Sequence, residues 1–261
     1  MANRQMDKMY VQQYDQLENN HWWFIIRQKI ILQTLRKFTP PLHPGGLKIL
    51  NVGAAAGASS KWLASLGDVV SLENDPLFLD CLINRNLKAI NASITDIPLD
   101  DDSVDLVCAF DVIEHVENDQ QAVEELVRVC KPGGNICITV PAFQTLWGNH
   151  DVVNGHKRRY TRKHLQNLID GQRATIQYSS YFNTILFIPV LLFRKIQPLF
   201  KNNRQQHNSD FNYFKTNIIL NNVLKVVFGI ELYLLRSVKF PFGVSLMMLI
   251  QKKPASKDIS K

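Results

Sequence analysis

Apolar positions along the chain follow two different periods. In residues 6–17 and 23–38 they recur every three or four positions, which predicts two helices, and prolines and glycines at 40–46 then end the pattern. Beyond residue 47, short apolar runs alternate with segments of helical period. The predicted strands are 48–52, 69–73, 89–91, 106–110, 135–140, 174–178 and 244–251, and the predicted helices among them are 59–66, 76–83, 120–129 and 162–170. This alternation predicts an α/β protein with a parallel sheet and helices on both faces.

Residues 182–241 interrupt this pattern before the last strand. They contain two apolar helical stretches, 183–199 and 213–235, separated by the polar stretch 201–210. Such an insertion is placed to cap a pocket, to pair with a second copy in a homodimer, to touch a membrane, or simply to complete the core. Its most apolar run, 181–193, is shorter than the roughly 20 residues that cross a bilayer. Because Arg194 and Lys195 follow it, peripheral contact with an anionic membrane is one expectation.

The division of the chain follows from these patterns. We expect an N-terminal helical lid (1–46), a core (47–181), a helical cap insertion (182–241), and a last core strand with a polar tail (242–261). A chain of 261 residues can bury a substantial core, and one decorated domain is favoured over two.

Composition limits the location and the partners. The four cysteines lack both metal-ligand spacing and a disulfide framework, and residues 1–20 lack a signal-peptide pattern, so we expect a cytoplasmic protein, peripheral at the inner membrane face if it contacts lipid. The net charge of +7 indicates an anionic partner. Nucleic acid is not favoured, because the basic residues are not interleaved with aromatics. The acidic run at 100–102 predicts a solvated turn, and we expect no metal site.

The most informative segment is 47–58, in which a predicted strand runs into a glycine loop and a helix start. Gly53 and Gly57 leave room for backbone N–H groups to approach a ligand. Glu73 ends the next predicted strand, roughly twenty residues later, which is the spacing of a carboxylate that binds a ribose diol. A dinucleotide loop would need Gly-x-Gly-x-x-Gly, and the chain offers Gly53, Ala55 and Ala58 there. The segment therefore predicts an adenosine-type ligand, and its match to a dinucleotide loop is weak.

Three further motifs carry a resemblance to a known family. Asp96-Ile97-Pro98-Leu99, the run from Val104 to Val116, and Cys130-Lys131-Pro132-Gly133-Gly134 closely resemble class I S-adenosylmethionine-dependent methyltransferases. His21-Trp22-Trp23-Phe24 and the stretch from Gly155 to Thr161 look like a bacterial subgroup associated with glycan and lipid pathways. The resemblance implies a Rossmann-like, mostly parallel seven-stranded sheet whose last strand is antiparallel. The chain departs from the family at Asn51, Ala55 and Ser93, where Asp or Glu, Gly and Asp are usual.

The resemblance also implies a function. S-adenosylmethionine would be the cofactor and S-adenosylhomocysteine the product, with a methyl group transferred by in-line displacement to a small-molecule or lipid- or glycan-linked acceptor, anionic in character. The alternatives are a noncatalytic S-adenosylmethionine-binding or membrane-associated assembly protein, and thirdly a dinucleotide oxidoreductase. The cofactor-binding residues implied are Arg27, Asn51, Gly53, Ala54, Ala55, Gly57, Glu73, Asn74, Ser93, Ile94, Phe110 and Asp111. Of these, Arg27 is equally readable as a surface arginine, and Asp111 as a helix cap.

Acceptor recognition is expected in residues 147–160, which follow the fifth strand at the carboxyl edge of the sheet. A solvated basic loop is the alternative reading of that stretch. The candidate catalytic residues are His115, His150, His156 and Tyr160, and the candidate substrate-binding residues are His21, Trp22, Arg158 and Arg159. The aromatic residues at 22–24 are read either as a lid or as ordinary helix packing.

Overall fold

One seven-stranded sheet organises the computed structural model, which describes residues 2–39, 45–171, 173–196 and 218–254, with side chains of the first helix described from residue 11. The strands are β1 (Leu47–Val52), β2 (Gly67–Glu73), β3 (Ala89–Asn91), β4 (Val104–Phe110), β5 (Cys130–Pro141), β6 (Ala174–Phe182) and β7 (Ser245–Lys252). Their order in the sheet is β3-β2-β1-β4-β5-β7-β6. Strands β1 to β5 pair in parallel, whereas β7 runs antiparallel to both β5 and β6, so the sheet is mixed.

The strand predictions are confirmed in number and place, but β5 and β6 are longer than predicted, and β6 runs to Phe182 instead of ending at 178. Strand β5 begins at Cys130, five residues before its predicted start at 135. The pairing of β4 with β5 shifts register between Val104 and Leu106, because the Lys-Pro-Gly-Gly stretch bulges out with Gly133 at φ +79°. A bulge breaks the alternation of two that sequence patterns rely on, so this first part of the strand was missed.

Nine α-helices flank the sheet within the described residues. They are α1 (Ala2–Asn20), α2 (Trp22–Phe38), α3 (Ala58–Leu63), α4 (Pro76–Asn84), α5 (Asp119–Val129), α6 (Asn149–Val153), α7 (Arg162–Asn167), α8 (Phe187–Ile196) and α9 (Ile218–Leu234). Short 3-10 turns lie at Ile113–His115 and Gln144–Leu146. The five-residue α6 was not predicted. The predicted polar stretch 201–210 and the facing ends of the two insertion helices lie outside the described residues.

The core lies on both faces of the sheet. Every residue of β4 is buried, as expected for the centre of a parallel sheet. On one face, α2 and α9 complete the core: Trp22 stacks on Phe228 with ring centroids 4.5 Å apart, and Ile31 and Leu35 are fully buried. The lead-in helix and the insertion therefore pack against each other as well as against the sheet. Across the described ranges, none of the helices combines the length and the apolar character that a membrane span requires.

Candidate active site

A cavity of about 530 Å³ opens at the carboxyl ends of β1, β2 and β4. Its walls come from α1, α2, the loop after β5 and α8, so residues far apart in sequence share it. The predicted site residues that line it are His21, Trp22, Arg27, Gly53, Ala55, Glu73, Asn74, Ser93, Ile94, Phe110, Asp111, His115, His150, His156 and Arg159. The size is typical of a pocket that buries a small organic ligand.

The glycine loop forms one wall. Gly53 adopts φ +65°, and a Cβ added there would lie 2.5 Å from a methyl carbon of Val112, so only glycine fits without displacement. The N–H groups of Gly53 and Ala54 both donate to the carbonyl of Leu72, which fixes the loop to β2. Ala55 lies at φ +45°, a conformation that costs an alanine about 1 kcal/mol. This strain explains why the family usually has glycine at that position.

Three predicted cofactor residues do not line the cavity. Gly57, at φ +91°, precedes α3, and its missing side chain makes room for Leu82 and Leu87. Ala54 is fully buried. The amide of Asn51 donates to the hydroxyls of Ser59 and Ser60, both at 2.8 Å. These residues therefore shape the loop from behind.

Three backbone hydrogen bonds hold the Glu73 carboxylate at this end of the cavity. One carboxylate oxygen accepts from the N–H of Ala55 at 2.8 Å, and the other accepts from those of Asn74 and Asp75 at 3.0 Å. The residue is 6% exposed. Backbone donors from two loops thus hold the carboxylate at the end of β2, facing the cavity.

An ion pair separates this end from the rest of the cavity. Arg27 of α2 contacts the Asp111 carboxylate at 2.6 Å and donates to the Thr139 hydroxyl at 3.0 Å. Its guanidinium also lies over the rings of Trp23 and Phe110, at 5.1 and 5.7 Å from their centroids. Arg27 is not a surface arginine, since only 12% of its side chain is exposed. The following 3-10 turn has no side-chain cap, so Asp111 serves as an ion-pair partner there.

A buried carboxylate, that of Asp151, lies at the centre of the opposite end of the cavity. The sequence alone placed this residue only within a basic loop. Asp151, fully buried, accepts from the Gly148 N–H, His156 Nδ1 and Arg159 Nε, each at 2.8 Å, and contacts Arg194 of α8 at 3.4 Å. Burial alone would raise the pKa of Asp151, but the hydrogen bond from His156 and the charge of Arg159 outweigh it and hold that pKa well below its usual value. We call Asp151, His156, Arg159 and Arg194 the Asp151 network.

Two predicted site residues lie outside this cavity. The Tyr160 hydroxyl donates to Asp119 at 2.8 Å in the core, and burial together with that hydrogen bond raises its pKa. Arg158 pairs with the same Asp119 at 2.8 Å and donates to the Glu117 carbonyl. Both residues therefore attach the loop to α5, on the far side from the cavity.

Glu114 and His115 occupy the 3-10 turn after β4, in the cavity wall. Glu114 is fully buried, and burial, reinforced by Asp111, raises its pKa well above the usual value. Burial and the neighbouring His156 lower the pKa of His115 to about 4. Glu114 was missed as a site residue. The triplet Glu114-His115-Val116 was the available signal, but nothing in it indicates that the carboxylate lacks a partner.

The aromatic residues at the start of α2 line the cavity and also pack as part of a helix, so they fit both alternatives that the sequence left open. His21, Trp22, Trp23 and Phe24 all line the cavity. Phe24 meets Tyr14 edge-on at 6.0 Å, and Tyr14 meets Phe78 of α4 at 5.5 Å. An ion pair between Asp15 and Arg85 at 2.7 Å attaches α1 to the core. The residues thus cover the cavity while packing as an amphipathic helix does.

Comparisons with known proteins agree with this arrangement. Residues 50–138 match the family profile described as a methyltransferase domain. An uncharacterized methyltransferase of Mycobacterium sp. (strain JLS) is 31% identical over 147 residues, which cover 52% of this chain and 56% of that protein. The chain thus spans about half the length of the curated relatives it matches.

Solved structures extend the likeness in fold. One is a chain from the complex between the Trm112 methyltransferase activator of Haloferax volcanii and a protein described as a methyltransferase, with a TM-score of 0.60, 15% identity and coverage of 94% of this chain and 95% of that chain. Another is an S-adenosylmethionine-dependent methyltransferase from Mesorhizobium loti, with a TM-score of 0.56, 14% identity and coverage of 85% and 97%. The fold is that of Rossmann-like methyltransferases. The domain match and the curated relatives show that residues 50–138 are similar to methyltransferase domains.

Proposed function

We propose that this protein transfers a methyl group from S-adenosylmethionine to a small-molecule or lipid- or glycan-linked acceptor that carries negative charge. The observation that supports this most is one cavity with two unlike ends. The first, the donor end, holds Gly53 and Glu73, and the second, the acceptor end, holds His115 and His150 beside the Asp151 network. Of that network, His156, Arg159 and Arg194 line the cavity and Asp151 lies behind them. Arg27 and Asp111 lie between them.

The donor end fits an adenosine ligand. A Cβ on Gly53 would fill the loop, so the cradle depends on its absence. The Glu73 carboxylate already accepts three backbone hydrogen bonds out of about four lone-pair sites, so it has one site for a ribose hydroxyl. We propose that the second ribose hydroxyl displaces the bond from Ala55. Asn74, Ser93 and Ile94 would then flank the adenine.

The pair in the middle of the cavity suits an amino-acid tail. Arg27 and Asp111 present opposite charges 2.6 Å apart, and a methionine tail carries the same two charges on its carboxylate and ammonium groups. We propose that the tail exchanges with this pair, the carboxylate binding Arg27 and the ammonium binding Asp111. When bound, S-adenosylmethionine supplies an electrophilic methyl group, so the protein has mainly to orient the acceptor and exclude water.

Two buried arginines lie at the acceptor end. Arg159 and Arg194 both contact Asp151, and both are at least 90% buried. We propose that an acceptor carboxylate or phosphate binds near these arginines, since fixed guanidinium groups suit such anions. His115, His150 and His156 line the same region and would face an acceptor hydroxyl.

Transfer of labelled methyl groups from S-adenosylmethionine to cell extracts, followed by separation into aqueous and organic fractions, tests this function. We expect labelled product from the wild type, and greatly reduced label from Glu73→Ala. Label in neither fraction, together with measurable binding of S-adenosylhomocysteine, would favour the noncatalytic alternative. Binding of a nicotinamide dinucleotide in place of S-adenosylhomocysteine would favour an oxidoreductase.

We also propose that α8 and α9 contact an anionic bilayer, which would suit a lipid-linked acceptor. Apolar side chains at Ile188, Ile219 and Val226 are 54%, 71% and 70% exposed, and Lys195 and Lys225 lie on the same two helices. Flotation with vesicles of phosphatidylcholine and phosphatidylglycerol tests this. We expect the wild type to float and Ile219→Ser/Val226→Ser to remain in solution. If the wild type sediments as a dimer and ignores vesicles, the same face is a homodimer interface.

A further inference from the structure

Glu114 has an unusual environment for a carboxylate. It is fully buried, lines the cavity, and apart from its own backbone amide no group in the described part of the chain offers a hydrogen bond to either carboxylate oxygen. Buried carboxylates without a partner are costly, and those that persist normally face a ligand, an ion or a reaction partner. The transfer chemistry proposed above gives Glu114 no task. Something that satisfies two carboxylate oxygens is therefore expected beside it.

Two imidazoles lie next to this carboxylate. The rings of His115 and His156 meet edge to face, with centroids 4.8 Å apart. One ligand atom from each of Glu114, His115 and His156 lies within 4.8 Å of the other two. Two imidazole nitrogens and one carboxylate oxygen form a donor set that binds divalent transition metals in many proteins.

The geometry around these three residues is fixed by neighbours. The 3-10 turn places Glu114 and His115 side by side, and the Lys157 N–H donates to the Glu114 carbonyl at 2.7 Å, which holds His156 against that turn. His156 Nδ1 donates to Asp151 at 2.8 Å, so Nε2 keeps its lone pair for another partner. A histidine that donates one ring N–H to a carboxylate and uses the other nitrogen as a ligand is a frequent arrangement in metal sites.

We propose that Glu114, His115 and His156 bind a divalent transition metal ion of the zinc or manganese type at the acceptor end of the cavity. Bonds of about 2.1 Å in a tetrahedral site place ligand atoms about 3.4 Å apart, so the widest pair must approach by up to about 1.4 Å. His115 lines the cavity with part of its side chain exposed, and rotation of that side chain provides this approach. Asp151 is a positioning residue for His156, not a ligand.

The position of this site narrows the acceptor class, and this step rests on the proposed function. Three protein ligands leave coordination positions open toward the cavity, as in catalytic metal sites. A metal there would bind an acceptor oxygen and lower the pKa of its hydroxyl, whose proton would pass to water or to His150. The oxygen would then bond to the methyl carbon as the methyl–sulfur bond breaks, with S-adenosylhomocysteine as the leaving group. The acceptor would then be an alcohol, phenol or hydroxy acid whose oxygen binds the metal, and His150 would be the remaining imidazole near it.

Metal content and metal affinity test the site without any methyl donor. The full-length protein is stripped with a chelator and titrated with zinc or manganese chloride alone, against a competing chromogenic chelator. We expect one equivalent to bind. Glu114→Gln and His115→Ala should each weaken affinity by more than the 10–100-fold that loss of an outer partner typically costs, and Asp151→Asn by about 10–100-fold.

Two matched controls and one further titration make the result decisive. His164→Ala removes an imidazole on α7, outside the cavity, and Glu117→Gln removes a nearby exposed carboxylate, and neither should change affinity by more than about twofold. Glu114→Gln should keep the wild-type affinity for S-adenosylhomocysteine, which confirms folding. Metal binding that is unchanged in Glu114→Gln, or absent from wild type that binds S-adenosylhomocysteine, overturns the metal site alone. Metal binding by a wild type without affinity for S-adenosylhomocysteine supports the metal site and overturns the proposed function.

Discussion

The two ends of the cavity are built by different means. The donor end is formed mainly by main-chain groups. Backbone N–H groups hold Glu73, and Gly53, at positive φ, leaves space for a ligand. At the acceptor end, buried side chains from the loop after β5 and from α8 converge on one carboxylate. The contrast teaches that the donor end depends on local backbone geometry, whereas the acceptor end depends on long-range compensation of charge.

Removing the buried Asp151 carboxylate at the acceptor end should have the largest effect and is the strongest test of this comparison. Asp151→Ala leaves Arg159 and Arg194 buried without their shared carboxylate, so we expect a loss of about 3–5 kcal/mol in the free energy of unfolding, measured in urea. Asp101→Ala is the matched control, because its ion pair with Arg128 involves a carboxylate that is 73% exposed. It should cost less than about 1 kcal/mol. Equal losses in both variants would contradict the contrast.

At the donor end, the most informative substitution adds a single methyl group. Gly53→Ala places a Cβ 2.5 Å from Val112, and we expect affinity for S-adenosylhomocysteine to fall about 100-fold, or about 2.8 kcal/mol, by calorimetry. Gly133 also has a positive φ, but a Cβ added there meets nothing within 4 Å, so Gly133→Ala should leave affinity unchanged. The double variant Gly53→Ala/Val112→Ala should recover part of the loss. An unaltered affinity in Gly53→Ala would remove the backbone explanation.

A buried carboxylate in α1 leads us to expect that the stability of the fold depends on pH. Burial raises the pKa of Glu18 in α1 from 4.5 to about 7, against the lowering influence of Arg27. Because the folded protein favours the protonated form, this group stabilises the fold fully below pH 4.5, and the contribution is lost as pH rises through 7. We expect the free energy of unfolding of the wild type to fall by about 2 kcal/mol over that range relative to Glu18→Gln.

A group with the opposite shift provides the control for this pH effect. Arg128 lowers the pKa of Glu125 through a hydrogen bond, so the contribution of Glu125 is present above pH 4.5 and is lost as pH falls. The difference between wild type and Glu125→Gln should therefore have the opposite slope with pH. Parallel slopes for the two variants would show that Glu18 does not titrate in the folded state as we infer.

The smallest expected effect concerns Tyr160, a sequence candidate that lies in the core. Tyr160→Phe removes one hydrogen bond to Asp119, which retains Arg158, so we expect a loss of about 1 kcal/mol in unfolding free energy. Methyl transfer should remain within about twofold of wild type, because the hydroxyl does not reach the cavity. Loss of methyl transfer with unchanged stability would show that Tyr160 belongs to the active site.

The two ends of the cavity also differ in how well the sequence predicted them. The seven strands and the donor loop were predictable, since alternating periods and a glycine loop are local signals, and Gly53 and Glu73 indeed line one cavity. Gly57 and Asn51 carry the same family signal but support the loop from behind. A motif marks a position in the chain and does not specify which way its side chain faces.

The acceptor end was predictable only as a region. Residues 147–160 were identified from their place after the fifth strand, but the pairing of Asp151 with Arg194 joins positions 43 residues apart. Likewise, Glu114 and His156 meet because Lys157 bonds to the turn after β4. Such contacts depend on the tertiary fold, which periodicity and spacing do not encode.

The contact between Arg194 and Asp151 has a consequence for protein engineering. Replacing α8 by a short hairpin, or grafting it from another protein, would remove a cation that contacts the buried Asp151 carboxylate after β5. A transplant would therefore have to supply a cation at the same position. The segment is better regarded as one partner in a joint structure than as a portable module.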